Sequence, residues 1–203
     1  MRELAEALRR RYAGRAPGLL GAERACAVLC PLVETPEGPS LLYEVRAASL
    51  RQGGEVCFPG GWMEAGEGPV QCALRETWEE LSIPEEAVEI LGLSDFICNS
   101  RGFILQPVLG LVSEAGLAAL NPSPAEVAET FTAPLSFFRD TPPMVYRYDL
   151  VPQVPEDFPY EEVGVPPDYP WSRGRTEVPV WRWQGRAIWG MTARITRDII
   201  QWI

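Results

Sequence analysis

Between residues 69 and 81, Val70, Ala73, Leu74, Thr77, Trp78 and Leu81 recur at helical spacing, which predicts an amphipathic helix with that stripe turned to a core. Pro69 suits its first turn, where no backbone N–H is needed. Residues 2–13 carry a weaker helical pattern, with Leu4, Leu8 and Tyr12 expected inward and Arg9, Arg10 and Arg11 on a solvated face. Elsewhere the pattern shortens to strands. Residues 25–32 and 40–45 are compact apolar runs on either side of a Pro- and Gly-containing turn, which predicts a β-hairpin. Residues 55–58 form a third strand leading into Phe58-Pro59-Gly60-Gly61, and 88–96 and 104–112 read as two more, joined over residues 99–102.

The second half is less regular. Ser123-Pro124-Ala125-Glu126 looks like a short helix start, followed by a β-prone segment and an apolar turn over residues 135–138. Proline crowds residues 142–179, although 144–150 still has the composition of a strand. Residues 150–177 read as a long ordered loop, too aromatic for an inert linker, with use as a lid or a dimer contact. A hairpin is expected at 178–189 around Gln184-Gly185. A last helix over 192–202 would place Ile195, Ile199 and Trp202 on one face. Nothing marks a domain boundary, so residues 1–203 read as a single domain. Strands alternating with helices predict an α/β fold with one mixed sheet covered on two faces.

Composition narrows the function. A formal net charge of −10 argues against a general nucleic-acid binder, which needs a basic footprint. The absence of histidine excludes a His base, a His metal ligand and a Ser-His-Asp triad. Cys26, Cys30, Cys57, Cys72 and Cys98 show no C-x-x-C spacing and read as reduced residues of a cytoplasmic protein. No apolar run is long enough to span a bilayer, and the first residues lack a signal core.

Candidate chemistry lies on the predicted helix 69–81. Glu76, Glu79 and Glu80 stand at i, i+3 and i+4, expected on the side away from the apolar stripe. Like charges so spaced repel by roughly a few tenths of a kcal/mol per pair. A divalent cation reverses that sign, and hard, all-oxygen ligands favour Mg²⁺ or Mn²⁺.

Gly61, five residues, Glu67, seven residues, then Arg75-Glu76-x-x-Glu79-Glu80 resembles the Nudix box of pyrophosphate-cleaving hydrolases, here spanning residues 61–83. Thr77 stands where an aliphatic residue is usual, and Ser82 replaces the last glycine. The resemblance implies an α/β/α sandwich with a mixed sheet and N- and C-terminal helices. It makes Glu76 and Glu80 the surest metal ligands, with Glu79 a third and the carbonyl near Gly60 or Gly61 completing the shell. Glu67 and Arg75 would form an ion pair bracing the loop against the helix. Glu126 and Glu129 lie where such enzymes often supply a further acid, and a surface role suits either as well.

Upstream, Leu41-Leu42, Arg46-Ala47, Leu50-Arg51, Gly54 and Phe58-Pro59-Gly60-Gly61 resemble the extra signature of Nudix enzymes that cleave coenzyme A and its thioesters. One residue is added before Arg46, one is missing between Arg51 and Gly54, and Tyr43 replaces a threonine. That resemblance implies a coenzyme A-like nucleotide substrate, touched by Arg46, Arg51, Gly54, Phe58 and Gly61. The products would be 3′,5′-ADP and (acyl-)4′-phosphopantetheine. Other nucleoside diphosphate derivatives, or a non-catalytic nucleotide sensor, are the competing readings. A monomer or a homodimer is expected.

Overall fold

The computed structural model describes residues 1–14, 20–21, 24–99 and 102–203, so the expected connection over residues 99–102 falls partly outside the described residues. Helix α1 (Arg2–Tyr12) forms, with Arg9, Arg10 and Arg11 in its last turn, where the helix dipole favours them. Its apolar stripe does not turn inward: Leu4, Leu8 and Tyr12 are all exposed. Amphipathic spacing makes a face without guaranteeing something to cover it.

Strands β1 (Arg24–Thr35) and β2 (Gly38–Arg46) form the expected hairpin, closing at Thr35↔Gly38. Thr35 Oγ1 accepts from the Glu37 N–H and donates to the Gly38 carbonyl, which ties the turn. The chain continues through β3 (Val56–Cys57), β4 (Gly60–Trp62) and helix α2 (Pro69–Leu81). Next come β5 (Val88–Leu93), β6 (Ile97–Asn99), β7 (Phe103–Val112) and the short helix α3 (Glu114–Ala118). Residues 123–126 make a turn, not a helix, before β8 (Val127–Pro134) and α4 (Leu135–Asp140). The expected strand at 144–150 is β9 (Met144–Leu150). A short helix, α5 (Tyr160–Val163), interrupts the proline-rich stretch, and β10 (Gly174–Trp183) starts earlier than expected. It turns through Gln184 and Gly185, both at positive φ, into β11 (Arg186–Trp189), and α6 (Gly190–Ile200) follows.

The strands divide into two sheets, where a single one was expected. Eight strands form a mixed sheet along β3-β2-β1-β7-β5, with β4 on β1, β6 on β7 and β8 on β2. Its parallel pair is β1 with β7, in register from Arg24↔Phe103 to Leu32↔Leu111. The remaining strands, β9, β10 and β11, form a separate antiparallel sheet of three. Trp183 Nε1 donates to the Thr132 carbonyl of β8 at 3.0 Å, which binds this small sheet to the large one, and Trp181 Nε1 donates to the Thr141 carbonyl just past α4 at 2.6 Å.

Strand alternation explains the layers. On β1, Ala27 and Leu29 pack with Cys72 and Ala73 of α2, while Cys30 points the other way, into a core with Ile195 and Ile199 of α6. On β2, Leu42 packs with Leu81 of α2, whereas Leu41 and Tyr43 face α6. Tyr43 stacks on Phe58 (4.7 Å between ring centres) and Phe131 (5.4 Å), and its hydroxyl meets Thr196 Oγ1 at 2.8 Å. That hydrogen bond satisfies the one polar atom of a fully buried ring. Trp202, expected on the inner face of the last helix, lies beyond its end and is exposed. Among the described residues no helix is long and apolar enough to cross a membrane.

Candidate active site

Helix α2 is fixed at both ends by its backbone. Gly68 caps it, Pro69 occupies the first turn, and Ser82 closes it in a left-handed conformation (φ 58°). That is the kind of position glycine fills most easily. Ser82 holds it with an Oγ bond to the Asn121 carbonyl at 3.0 Å. Thr77 is fully buried, and its hydroxyl returns to the Ala73 carbonyl at 2.6 Å, so a polar residue sits in the stripe without an orphaned donor.

Two positions of the helix differ from expectation, Trp78 of the apolar stripe and Glu80 of the acidic side. Trp78 is 55% exposed, and Glu80 is 3% exposed. Ala73, Thr77 and Glu80 follow one another at i, i+4 and i+7, which is the buried face. Glu80 therefore projects toward the sheet, where its Oε2 accepts the Gly60 N–H at 2.8 Å. The three glutamates do not share one outer side. Burial, followed by the neighbouring charge of Glu44, pushes the Glu80 carboxyl well above the ordinary carboxylate range.

Glu76 lies at the edge of that face. A Cβ on Gly61 would stand 2.4 Å from Glu76 Oε1, so the glycine makes room for this carboxylate. Burial raises the Glu76 carboxyl, against the lowering effect of Arg75. Glu79 turns outward, with 52% of its side chain exposed. Arg75 Nη1 donates to Glu76 at 2.8 Å and to Glu79 at 3.2 Å. Among the described residues no three acidic or thiol side chains stand close enough, as arranged, to hold one ion between them. Glu76 and Glu80 are brought to the Gly60-Gly61 backbone, Glu79 is not, and the Arg75 guanidinium supplies the counter-charge.

The rest of Arg75 forms a fork on Glu67, Nε to Oε1 at 2.9 Å and Nη2 to Oε2 at 3.1 Å. Glu67 also accepts the Glu64 N–H at 2.8 Å, and Arg75 Nη2 reaches the Trp62 carbonyl at 3.2 Å. The loop between β4 and α2 is thereby tied to the helix. Its hydrogen bonds from Arg75 and the Glu64 backbone hold the Glu67 carboxyl down at about 2. A depressed carboxylate pKa contributes stability that is present above the unfolded value of 4.5 and lost as pH falls toward 2. We expect the melting temperature of the protein to exceed that of Glu67→Gln near neutral pH, and the gap to close as the pH falls through that window. A gap independent of pH would count against the pair.

Glu44 did not stand out in the sequence, and it is the most completely buried acid beside the site, at 0% exposed. Its place on β2 two residues after Leu42 turns it to the same side, toward α2. One oxygen, Oε1, accepts the Cys57 thiol at 3.2 Å, and the other, Oε2, is buried with no hydrogen-bond partner. Burial is the main force raising its carboxyl, with the charges of Glu126 and Glu76 adding to it and Arg46 opposing. The available signal was one charge inside the apolar run Leu41-Leu42-Tyr43-Glu44-Val45.

The upstream residues separate into rim and core. Arg46 ends β2, its Nε donating to the Arg51 carbonyl at 3.5 Å, and Arg51 is exposed in the following loop. Gly54, at φ 82°, closes that loop by donating its N–H to the Arg46 carbonyl at 2.9 Å. Phe58, expected to touch substrate, is instead buried against Tyr43, so its ring belongs to the core. Glu126 is exposed at the rim, and its charge reaches Glu44, Glu76 and Glu80. Glu129 is engaged by Arg186.

A NUDIX domain model matches residues 23–139. The chain is 33% identical over 181 residues to a Nudix hydrolase NudL of Photorhabdus laumondii, itself uncharacterised, covering 88% of this chain and 84% of that one. It is 42% identical over 117 residues to Nudix hydrolase 3 of Caenorhabditis elegans, covering 56% of this chain and 49% of the relative. Among solved structures, a Nudix hydrolase from M. Smegmatis, RenU, superposes with a TM-score of 0.49 at 22% identity, over 59% of this chain and 75% of the other. With a mixed sheet flanked by helices and the acidic α2 set against glycines of β4, this chain belongs to the Nudix hydrolase family and is a pyrophosphohydrolase.

Proposed function

We propose that the chain hydrolyses the pyrophosphate of coenzyme A or its acyl thioesters, releasing 3′,5′-ADP and (acyl-)4′-phosphopantetheine. Nudix hydrolases work with a divalent cation, and the donors here suit Mg²⁺ or Mn²⁺. They are carboxylate and carbonyl oxygens with no histidine, beside a buried carboxylate oxygen that lacks a partner. Glu76 and Glu80 would hold the ion with the Gly60 carbonyl, and Glu79, which points outward as arranged, would have to turn to join the shell. A bound dication supplies charge neutralisation on the diphosphate and lowers the pKa of an attacking water.

The protein's own residues do the rest. Arg75 holds its fork on Glu67 through Nε and Nη2, which keeps the loop seated, while only Nη1 would have to release Glu76 for a cation to be held there. Gly61 leaves the space that Glu76 needs. Arg46 and Arg51 offer guanidinium groups to the anionic ends of the nucleotide, and Gly54 fixes the loop that carries them.

The observation that carries the substrate class is the placing of Arg46. It stands two residues after Glu44 on β2, its charge lowers the Glu44 carboxyl, and its Nε donates to the Arg51 backbone carbonyl across the loop. An acidic protein needs such local cations to accept a polyanion. Cytoplasmic residence and a monomer or homodimer belong to the same reading, with support for the first from cysteines that are all free.

With Mg²⁺ or Mn²⁺ present, coenzyme A should be turned over with a kcat/KM at least about tenfold above ADP-ribose, NADH or dNTPs, a discrimination within reach of a few charge-assisted contacts. Product chromatography reads this directly. A flat profile, or a preference for a nucleoside diphosphate sugar, would overturn the substrate assignment. No turnover of any pyrophosphate would favour a nucleotide sensor.

A further inference from the structure

We propose that Glu44 is an additional ligand of the divalent cation, reaching it from β2 across from the glutamates of α2. The inference rests on the metal site proposed above and extends it to a strand outside the box. Two observations carry it. Glu44 is fully buried on the face of β2 that is turned to α2. Its Oε2 has no hydrogen-bond partner, while Oε1 receives one weak donor, the Cys57 thiol.

A buried carboxylate is ordinarily held by an arginine fork or several N–H groups. Glu44 has neither, and the nearest named cation, Arg46, makes no ion pair with it among those of the described residues. Hydrogen bonds from the backbone do not complete its set either, since Oε2 has no hydrogen-bond partner of any kind. As arranged, no three acidic side chains of the described residues surround one ion, so Glu76 and Glu80 would have to turn for a hard cation between the strand and the helix to meet them and the open oxygen of Glu44 together. That arrangement supplies oxygens in three dimensions, which one helix face alone cannot. The bland reading is a neutral carboxylic acid that fills space and accepts one thiol hydrogen bond. Glutamine would then serve as well.

The test compares Mn²⁺ binding by the full chain, read from the electron paramagnetic resonance signal of the free ion during titration, for the unmodified protein, Glu44→Gln and Glu80→Gln. A ligand role predicts that Glu44→Gln weakens Mn²⁺ binding at least about tenfold, the lower end of what loss of a supporting group near a metal costs. The rise in melting temperature that Mn²⁺ gives the unmodified protein over EDTA should shrink with it. Wild-type Mn²⁺ affinity in Glu44→Gln, with binding lost in Glu80→Gln, overturns this inference and leaves the α2 site standing. No Mn²⁺ binding by the unmodified protein, or full binding by Glu80→Gln, removes the α2 site and this inference together. Should Glu44→Gln not fold, Glu44→Asp carries the test. It keeps the charge but withdraws it by one methylene, the same loss is expected, and wild-type affinity overturns the proposal.

Discussion

Glu80→Gln is expected to lower kcat on the order of 10³-fold while the protein still folds, consistent with the loss of a group that stabilises charge in the transition state. The folding half of this expectation follows from the hydrogen bond to Gly60. Glutamine has an amide oxygen where Glu80 has Oε2, so the Gly60 N–H keeps an acceptor. Burial disfavours the charged carboxylate, and the neutral amide removes that penalty. The variant should therefore melt no lower than the unmodified protein in EDTA. Activity within about threefold of normal would exclude Glu80 from the reaction. A collapsed far-UV spectrum would show that the fold requires the carboxylate itself, since the variant keeps an acceptor for the Gly60 N–H.

The second large effect separates two adjacent glycines. At Gly60 (φ 152°) a Cβ would meet the Ala27 carbonyl at 2.3 Å and Val28 Cα at 2.6 Å, both backbone of the central strand β1. Neither can retreat without breaking the sheet, so Gly60→Ala should cost about 3 kcal/mol or more, strain and overpacking combined. At Gly61 the Cβ would meet the Glu76 carboxylate, the free end of a flexible side chain. Gly61→Ala should fold with a loss of about 1 kcal/mol or less and displace that carboxylate, which lowers kcat roughly a hundredfold, as misplacement by about an ångström does. Denaturant melts and initial rates distinguish the two. Equal stability losses at both positions would refute this division of labour.

What the sequence made legible follows from period and punctuation. The helix at 69–81, the hairpin around Pro36 and the turn at Gln184-Gly185 each combine a regular apolar pattern with a residue that fixes the backbone. All three appear in the structure. The Glu67–Arg75 fork was also readable, because the resemblance named both partners. Burial of charge was not. Counting acids as outward put Glu80 on the wrong side, and the same habit left Glu44 unnoticed, although both are buried. A strand pattern also says which face is apolar without saying which strands pair, so the small sheet of β9, β10 and β11 could not be separated from the large one. Tertiary partners decided the fate of Leu4 and Leu8, whose stripe meets nothing that covers it among the described residues, and Trp202 is exposed because α6 ends before it while Ile195 and Ile199 of the same stripe are buried.

The parallel pairing of β1 with β7 sets a schedule for synthesis. The hairpin of β1 and β2 closes as soon as it leaves the ribosome, since its contacts are local. Helix α2 emerges next, but the surface that receives Ala73 and Cys72 includes Val108 as well as Ala27 and Leu29. Until β7 has been translated and drawn alongside β1, the greasy face of that helix has only part of its cover, the kind of species that chaperones attend. The bed of the acidic helix is thus completed late, by a strand that contributes none of its glutamates.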